Sequence, residues 1–450
     1  MTHRLLQEQA DLATAIDILD KWTAHTLREK HLPGLALGLV YGDELLWGKA
    51  YGVANLESGQ PITLDTRFRI ASISKTFTAT GILQLRDAGK LRLDDPVSRY
   101  LDWFDLRYGD APEITIRNLL THTSGLPRDA ANAMWTDCEA PDWEEFVAQT
   151  RQRELTRAPY ENHAYSNLGY SLLGGVIAAV SGQSWADYLQ QNVLEPLGMT
   201  ETYPVPDADD AQLATGYTRE RQDGKRDAFP FWKMNAFEAS ANFASSVNDL
   251  VKYAAFHLGL RGDTVLSPYT LFDMHRVHWL EQDWKGGYGL GMGLHRVKDW
   301  LISGHGGGYP GYLTAFTICR EHNTGVIALC NALGSNPHQI AEQAYKLVLP
   351  ELIKATEEPK AEANPVWQKY VGDYASEWAL QKVVIRDGQL QLLYLDYLDG
   401  EPTLLEPTDD ETVFVLQQAG QSNETLRFEL DDKGDVIRIW ERNEYSSKEG

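Results

Sequence analysis

The sequence predicts an α+β protein in two parts. The larger part has a sheet assembled from distant pieces around a helical insertion, and the smaller part after it is all β. Three observations predict this. Strand-like runs lie at both ends of the segment before Lys354: PGLALGLVYGDELLWGKAYG near the start, and DWLISGHGG, YLTAFTICR and GVIALCNA near the end. The chain between them, to about residue 260, follows helical spacing instead. Beyond KATEEPKAEANP, Lys354 to Pro365, the pattern becomes short strands and turns.

The elements follow in order. MTHRLLQEQADLATAIDIL mixes charge with apolar residues at helical spacing, so it reads as an amphipathic helix and not as a signal peptide. Two apolar runs then flank Gly42-Asp43, a short turn of the kind that closes a hairpin. ASISKTFTATGILQLRDAGK carries Phe77, Ile82, Leu85 and Ala88 near helical spacing, with Gly89 suited to the position after the helix end. Thr115 is placed to cap a helix running to Leu120. Ser184 with Asp187 makes a capping-box signature before Leu189, Val193 and Leu194. After the three late strands comes a helix, IAEQAYKLVL. The charged stretch that follows reads as a linker. VVIRDGQLQLLYL then places Asp387-Gly388 at a two-residue hairpin turn, and TVFVL and TLRFELDDKGDVIRIW continue the β pattern. Such a run of hairpins suggests a small barrel.

The bulk properties bound the partners. The 450-residue chain carries a net charge of −23, a surface that repels phosphate backbones and argues against nucleic acid. Cys138, Cys319 and Cys330 are odd in number and widely spaced, so neither a zinc cluster nor a disulfide framework is implied. No apolar run reaches the roughly 18 residues a membrane helix needs. The expectation is a reduced, soluble, cytoplasmic protein without a membrane partner.

ISGHGGGYPGY, Ile302 to Tyr312, is the most unusual stretch. A dinucleotide fingerprint would need GxGxxG leading into a helix, and a Walker loop would need GK[ST]; neither is present. A lipase oxyanion loop would need a GxSxG elbow, and none occurs. The remaining reading is a strand whose bare backbone lets a substrate or another chain segment approach. That reading asks for a nucleophile elsewhere. Ser72-Ile73-Ser74-Lys75 is an SxxK opening a helix, and residues three apart share a helix face, so Lys75 can reach the Ser72 hydroxyl. A helix start also favours developing negative charge. Against this stands the plain alternative of a Ser/Lys pair on a solvated face. YxN occurs twice, at Tyr160-Glu161-Asn162 and at Tyr165-Ser166-Asn167. The second directly precedes a helix, where Asn167 can act as N-cap. HxG also occurs twice. His257-Leu258-Gly259 reads as a helix end, whereas His305-Gly306-Gly307 sits on strand-like sequence. His122, in THTSG, reads as a structural histidine or turn cap, and Arg69 and Asp94 as scaffold.

SxxK, YxN and HxG in that order resemble the serine β-lactamase and penicillin-binding-protein superfamily, most closely its class C-like branch with family VIII carboxylesterases and D-amino-acid peptidases. RFRIASISKTFTA, LLTHTSGLP, YSNLGYSLLG, LEPLGM, SSVNDL and YGLGMG are similar to that branch's recurring blocks, and the resemblance covers most of residues 15 to 350. It implies an α/β (α+β) fold: a β-lactamase-like antiparallel sheet flanked by helices, a helical subdomain, and a small C-terminal antiparallel β-barrel. The implied domains are a serine hydrolase domain at 1–355, a linker at 356–365 and a lipocalin-like barrel at 366–450. It also implies that the HxG triad lies on an edge strand of the sheet. Ser72 would be the acylated nucleophile, with Lys75 and Tyr165 sharing the proton traffic and the Lys75 charge lowering the tyrosine pKa. The N–H groups of Ser72 and Gly308 would form the oxyanion hole. Asn167 would orient Lys75 or the acyl amide, and His305, Gly306 and Gly307 would line the substrate. No cofactor or metal is implied.

The implied substrate is a small-molecule ester, amide or short peptide, and a homo-oligomer is allowed. The alternatives are a D-stereospecific peptidase or aminopeptidase, a weak β-lactamase, and an acylation-dead binding or structural protein. One departure matters: relatives that act on β-lactams usually carry KTG where this chain has His305-Gly306-Gly307. A histidine with its ordinary pKa near 6.5 is mostly neutral at pH 7 and supplies no fixed cation for a substrate carboxylate. Hydrolysis of esters, or of amides without that demand, is therefore expected over β-lactam turnover.

Overall fold

The computed structural model describes residues 9–132, 134–356, 364–386, 388–394, 403–417, 424–442 and 444–448. It divides into two compact units, Met1–Ala355 and Thr356–Gly450. Most of the expected linker and Asp387 lie outside the described residues.

The first unit is built on an eight-stranded antiparallel sheet, in the order β2-β1-β10-β9-β8-β7-β6-β5. Its members are β1 (Gly34–Tyr41), β2 (Glu44–Gly52), β5 (Trp279–Leu280), β6 (Gly286–Tyr288), β7 (Gly293–Val297), β8 (Trp300–Tyr309), β9 (Tyr312–Cys319) and β10 (Thr324–Cys330). A two-stranded ribbon, β3 (Phe68–Arg69) with β4 (Ala244–Ser245), stands apart. The Gly42-Asp43 turn closes β1 onto β2, with Gly42 at φ 65°, where a Cβ would be strained. β1 then pairs with β10, Leu37 opposite Ala328, which joins the two ends of the unit around the helical insertion.

Burial on both faces explains why β1 reads as a continuous apolar run. Ala36 and Val40 point into one core with α2 (Ser74–Asp87), α3 (Asn167–Ser181) and α4 (Val247–His257). Leu35, Leu37 and Leu39 alternate into a second core, against α1 (Ala10–Glu29) and α5 (Pro337–Thr356). In α1 the buried stripe Leu12, Ile16, Leu19 and Leu27 faces that second core. Each such side chain contributes roughly 1.5–3 kcal/mol.

Several helix ends follow the sequence expectations. Thr115 caps Ile116–Leu120 through a capping box with Asn118. Ser184 caps Trp185–Leu189, and Gly89 and Gly259 adopt positive φ after their helices. The helix after the second YxN differs. Its cap is Ser166, whose Oγ accepts from the Gly169 N–H, and Asn167 is the first helical residue. Because Ser166 satisfies the helix end, the Asn167 amide is free to turn elsewhere.

The second unit is a closed eight-stranded antiparallel barrel. Its strands are β11 (Gly372–Ala375), β12 (Leu380–Arg386), β13 (Gln389–Tyr394), β14 (Thr403–Pro407), β15 (Val413–Gln417), β16 (Thr425–Leu430), β17 (Val436–Glu441) and β18 (Glu444–Lys448). Tyr374 pairing with Lys448 closes it, and Tyr370, Tyr374, Phe414 and Phe428 fill its core. Among the described residues no helix is long and apolar enough to cross a membrane.

Candidate active site

Ser72 lies in a single 3₁₀ turn, Ala71–Ile73, that runs into α2. The turn is held in an unusual shape, with Ala71 at φ 52°, a region a residue with a Cβ enters at a cost. Ser74 pins it: its Oγ donates to the Ala71 carbonyl at 2.5 Å and accepts from the Phe243 N–H at 3.0 Å. Thr314 on β9 pins it from the sheet, donating to the Ile70 carbonyl at 3.1 Å.

One helical turn on, Lys75 is fully buried. Its Nζ lies 3.1 Å from Ser72 Oγ, 2.7 Å from Asn167 Oδ1 and 2.7 Å from the Ser240 carbonyl. As an ammonium it donates to all three. As a free amine it has two N–H groups for the two carbonyl oxygens and one lone pair left for the Ser72 hydroxyl. Burial pushes its pKa well below the ordinary lysine value, opposed by Asp129 and reinforced by Arg128.

Tyr165 completes the cluster. Its ring centroid is 4.9 Å from Lys75 Nζ, and its hydroxyl interacts with Ser72. Its pKa moves opposite to expectation. Burial raises it, outweighing the Ser72 interaction and the Arg128 charge that lower it. Desolvation of a phenolate costs more here than the nearby cation returns. The tyrosine is held by His122, whose ring sits 4.3 Å away. His122 is buried with φ 55°, and its Nδ1 accepts the Ser166 N–H at 3.0 Å. It therefore braces the YSN turn. The other YxN lies elsewhere, with Tyr160 exposed. Asp94 pairs with Arg117, and buried Arg69 donates to Asn242.

The glycine strand differs from expectation in one respect. β8 is not the edge of the sheet, since β9 and β7 flank it. Its pairing with β7 stops at Gly304 opposite Gly293, however, while pairing with β9 continues to Tyr309. Residues 305–309 are thus a local edge. Gly307 brings this edge against the Ser72 turn: a Cβ there would stand 2.3 Å from the Ile70 carbonyl oxygen and 2.1 Å from Thr314 Oγ1. Gly306 faces the other way, where a Cβ would meet His338 Nε2 at 2.0 Å. Gly308 is exposed at the open side.

His305 is half-buried and neutral. Its Nδ1 donates to the Gly306 carbonyl at 2.6 Å, which leaves Nε2 to accept from the Tyr288 hydroxyl at 3.1 Å. Burial, with the Lys75 charge second, lowers its pKa to about 3. A cavity of about 450 Å³ runs past Tyr165, Tyr288, His305 and Gly306 to His338 and Tyr345, and neither Ser72 nor Lys75 lines it.

Fold and cluster together define a class: a serine–lysine–tyrosine site on an antiparallel sheet with a helical insertion. The chain belongs to the β-lactamase family, whose model matches residues 19–349. It is 27% identical over 359 residues to Beta-lactamase-like protein 2 of Dictyostelium discoideum, covering 77% of this chain and 65% of that protein. It is 25% identical over 452 residues to Penicillin-binding protein 4* of Bacillus subtilis, covering 89% of this chain and 96% of that protein. Among solved structures it is similar to the octameric penicillin-binding protein homologue from Pyrococcus abyssi, at 26% identity and a TM-score of 0.69, covering 96% of this chain and 99% of that one. The expected superfamily and fold are thereby established.

Sequence reasoning did not find Asp129, which accepts from Asn167 Nδ2 at 2.6 Å, nor Tyr288 or the Ser240 carbonyl. Asp129 lies two residues beyond the LLTHTSGLP block, in sequence with no motif of its own. The Ser240 carbonyl is backbone and carries no sequence signal.

Proposed function

We propose that this chain is a serine hydrolase that cleaves carboxylic esters or small amides through an acyl-enzyme on Ser72. The observation that carries the reading is the environment of Lys75. It is a buried amine, held by two carbonyl oxygens and aimed at a serine hydroxyl, with no carboxylate in direct ion-pair contact among the described residues. In the free enzyme Lys75 is the general base, because burial favours its neutral form while the same burial disfavours the Tyr165 phenolate. Ser72 Oγ attacks the substrate carbonyl and its proton passes to Lys75 Nζ. The developing oxyanion is received by the N–H groups of Ser72 and Gly308. Collapse expels the alcohol or amine, which takes up a proton through the Lys75–Tyr165 pair, and water then releases the acid. General-base action of this kind is worth roughly 10²–10⁴ in rate.

Neutral His305 favours substrates without a carboxylate at the strand, so ester hydrolysis is expected to exceed β-lactam turnover. The experiment is a panel of p-nitrophenyl esters, D- and L-aminoacyl anilides and nitrocefin. Esters are expected to turn over fastest, and penicillin turnover near about 10⁶ M⁻¹s⁻¹ would overturn the preference. D-aminoacyl anilides turning over fastest would favour the peptidase reading. The absence of disulfides among Cys138, Cys319 and Cys330 supports a reducing, cytoplasmic setting. The octameric state named for the Pyrococcus abyssi homologue supports self-association, which light scattering would test.

A further inference from the structure

Asn167 has two chemically different ends, and only one suits Lys75. Its Oδ1 accepts from Lys75 Nζ at 2.7 Å, while its Nδ2 donates to Asp129 Oδ1 at 2.6 Å. With the amide reversed, Nδ2 would face the amine, donor against donor, and Oδ1 would face a carboxylate, acceptor against acceptor. The Asp129 carboxylate therefore dictates which way the amide points. Asp129 is itself placed by the chain around it. The Ser166 Oγ donates to the Pro127 carbonyl at 2.7 Å, and the Asn167 N–H donates to the Arg128 carbonyl at 2.7 Å. Arg153 Nη2 donates to the Asp129 carbonyl at 3.2 Å. Residues 127–129 thus clamp the YSN turn from outside, and Asp129 is only 19% exposed.

Resting on the hydrolase reading above, we propose that Asp129 is a positioning residue that works through Asn167: it orients the amide toward Lys75 and holds a carboxylate one amide away from the amine. The groups facing Lys75 from each neighbouring element bear on this. They are Tyr165 before α3, Tyr170 on α3 with its ring centre 5.5 Å away, His122, His305 on β8, and the Arg128–Asp129 pair. Of these Asp129 alone is a carboxylate. Arg128 is 68% exposed and lies 3.4 Å from Asp129, so water screens it more than it screens the carboxylate. Asp129 favours the lysine cation and also opposes a Tyr165 phenolate. Removing its charge therefore moves the titration of either group to lower pH.

The test uses two variants of the full chain. Asp129→Asn keeps an oxygen that can accept from Asn167 Nδ2, removes the charge and no longer forbids the reversed amide. Asp129→Leu removes both. kcat/KM for p-nitrophenyl acetate is measured from pH 5 to 9, and the ¹³C signal of Lys75, identified by its loss in Lys75→Arg, is titrated in parallel. In Asp129→Asn the acid limb is expected to move to lower pH, so that its activity relative to wild type rises by at least about threefold as pH falls, and the Lys75 signal titrates at lower pH. Asp129→Leu is expected to lose roughly 10- to 100-fold at every pH through a loosened Asn167. An Asp129→Asn profile and Lys75 titration superimposable on wild type would overturn the proposal, even if Asp129→Leu failed to fold. If wild type itself hydrolyses no ester, the hydrolase reading fails, and the Lys75 titration still decides whether Asp129 sets its protonation.

Discussion

The contact between the glycine strand and the nucleophile turn can be broken by one methyl group. Gly307→Ala places a Cβ 2.3 Å from the Ile70 carbonyl oxygen, 2.1 Å from Thr314 Oγ1 and 3.0 Å from the Ala71 Cβ. Ordinary contact begins at 3.4 Å, so the strand and the turn must part by about 1 Å. No flexible side-chain end absorbs this. Ile70 O is backbone, two residues before Ser72, and Thr314 cannot rotate without giving up its 3.1 Å bond to that same carbonyl. Overpacking of this kind costs about 1–3 kcal/mol of stability. The catalytic penalty is larger, because about 1 Å of misplacement between nucleophile and oxyanion donors costs on the order of 10² in rate. The assay is kcat/KM for p-nitrophenyl acetate, with Tm measured on the same samples. Gly307→Ala should remain folded and lose about 10²-fold. Full activity in Gly307→Ala would refute the argument that strand and turn are matched to this spacing.

Lys75→Met removes the proposed base and strands two buried carbonyl oxygens, so kcat/KM should fall by roughly 10²–10⁴, measured with the same ester. His305→Gln should leave the acid limb of the pH–rate profile where it is, because His305, with a pKa of about 3, is already neutral across that range; a shifted limb would show that His305 titrates. Stability should fall with acid. Burial lowers the pKa of His122, His257 and His275, the last to about 3, against an ordinary 6.5. The unfolded chain therefore takes up protons first. The histidine contribution is full above about pH 6.5 and is lost as pH falls below it, for His275 toward about pH 3. Urea midpoints at pH 7, 5.5 and 4.5 check this, and a flat series would contradict it.

The strands were legible wherever one physical signal governed them. β1 and β10 are apolar on both faces because each side meets a core, and Gly42-Asp43 marks its turn by itself. The serine and lysine were legible because three residues of helix bring them together. The rest depends on tertiary contact. That Ser166 and not Asn167 caps α3 follows from residues 127–129 reaching back across the turn. The local edge at 305–309 exists only because β7 stops pairing at Gly293, which no spacing within β8 reveals. The Tyr165 shift turned on burial, which outweighs the charges around it. Asp129 was silent because a lone carboxylate after a turn looks like solvated surface until its partner is known.

The account rests on Ser72 becoming acylated with the help of a neutral lysine. Incubation with a fluorophosphonate probe, followed by mass spectrometry of the digested chain, reads that directly. A single adduct on Ser72, absent in Ser72→Ala and greatly slowed in Lys75→Met, is predicted. An unlabelled wild-type protein, or an adduct on another residue that persists in Ser72→Ala, would contradict it.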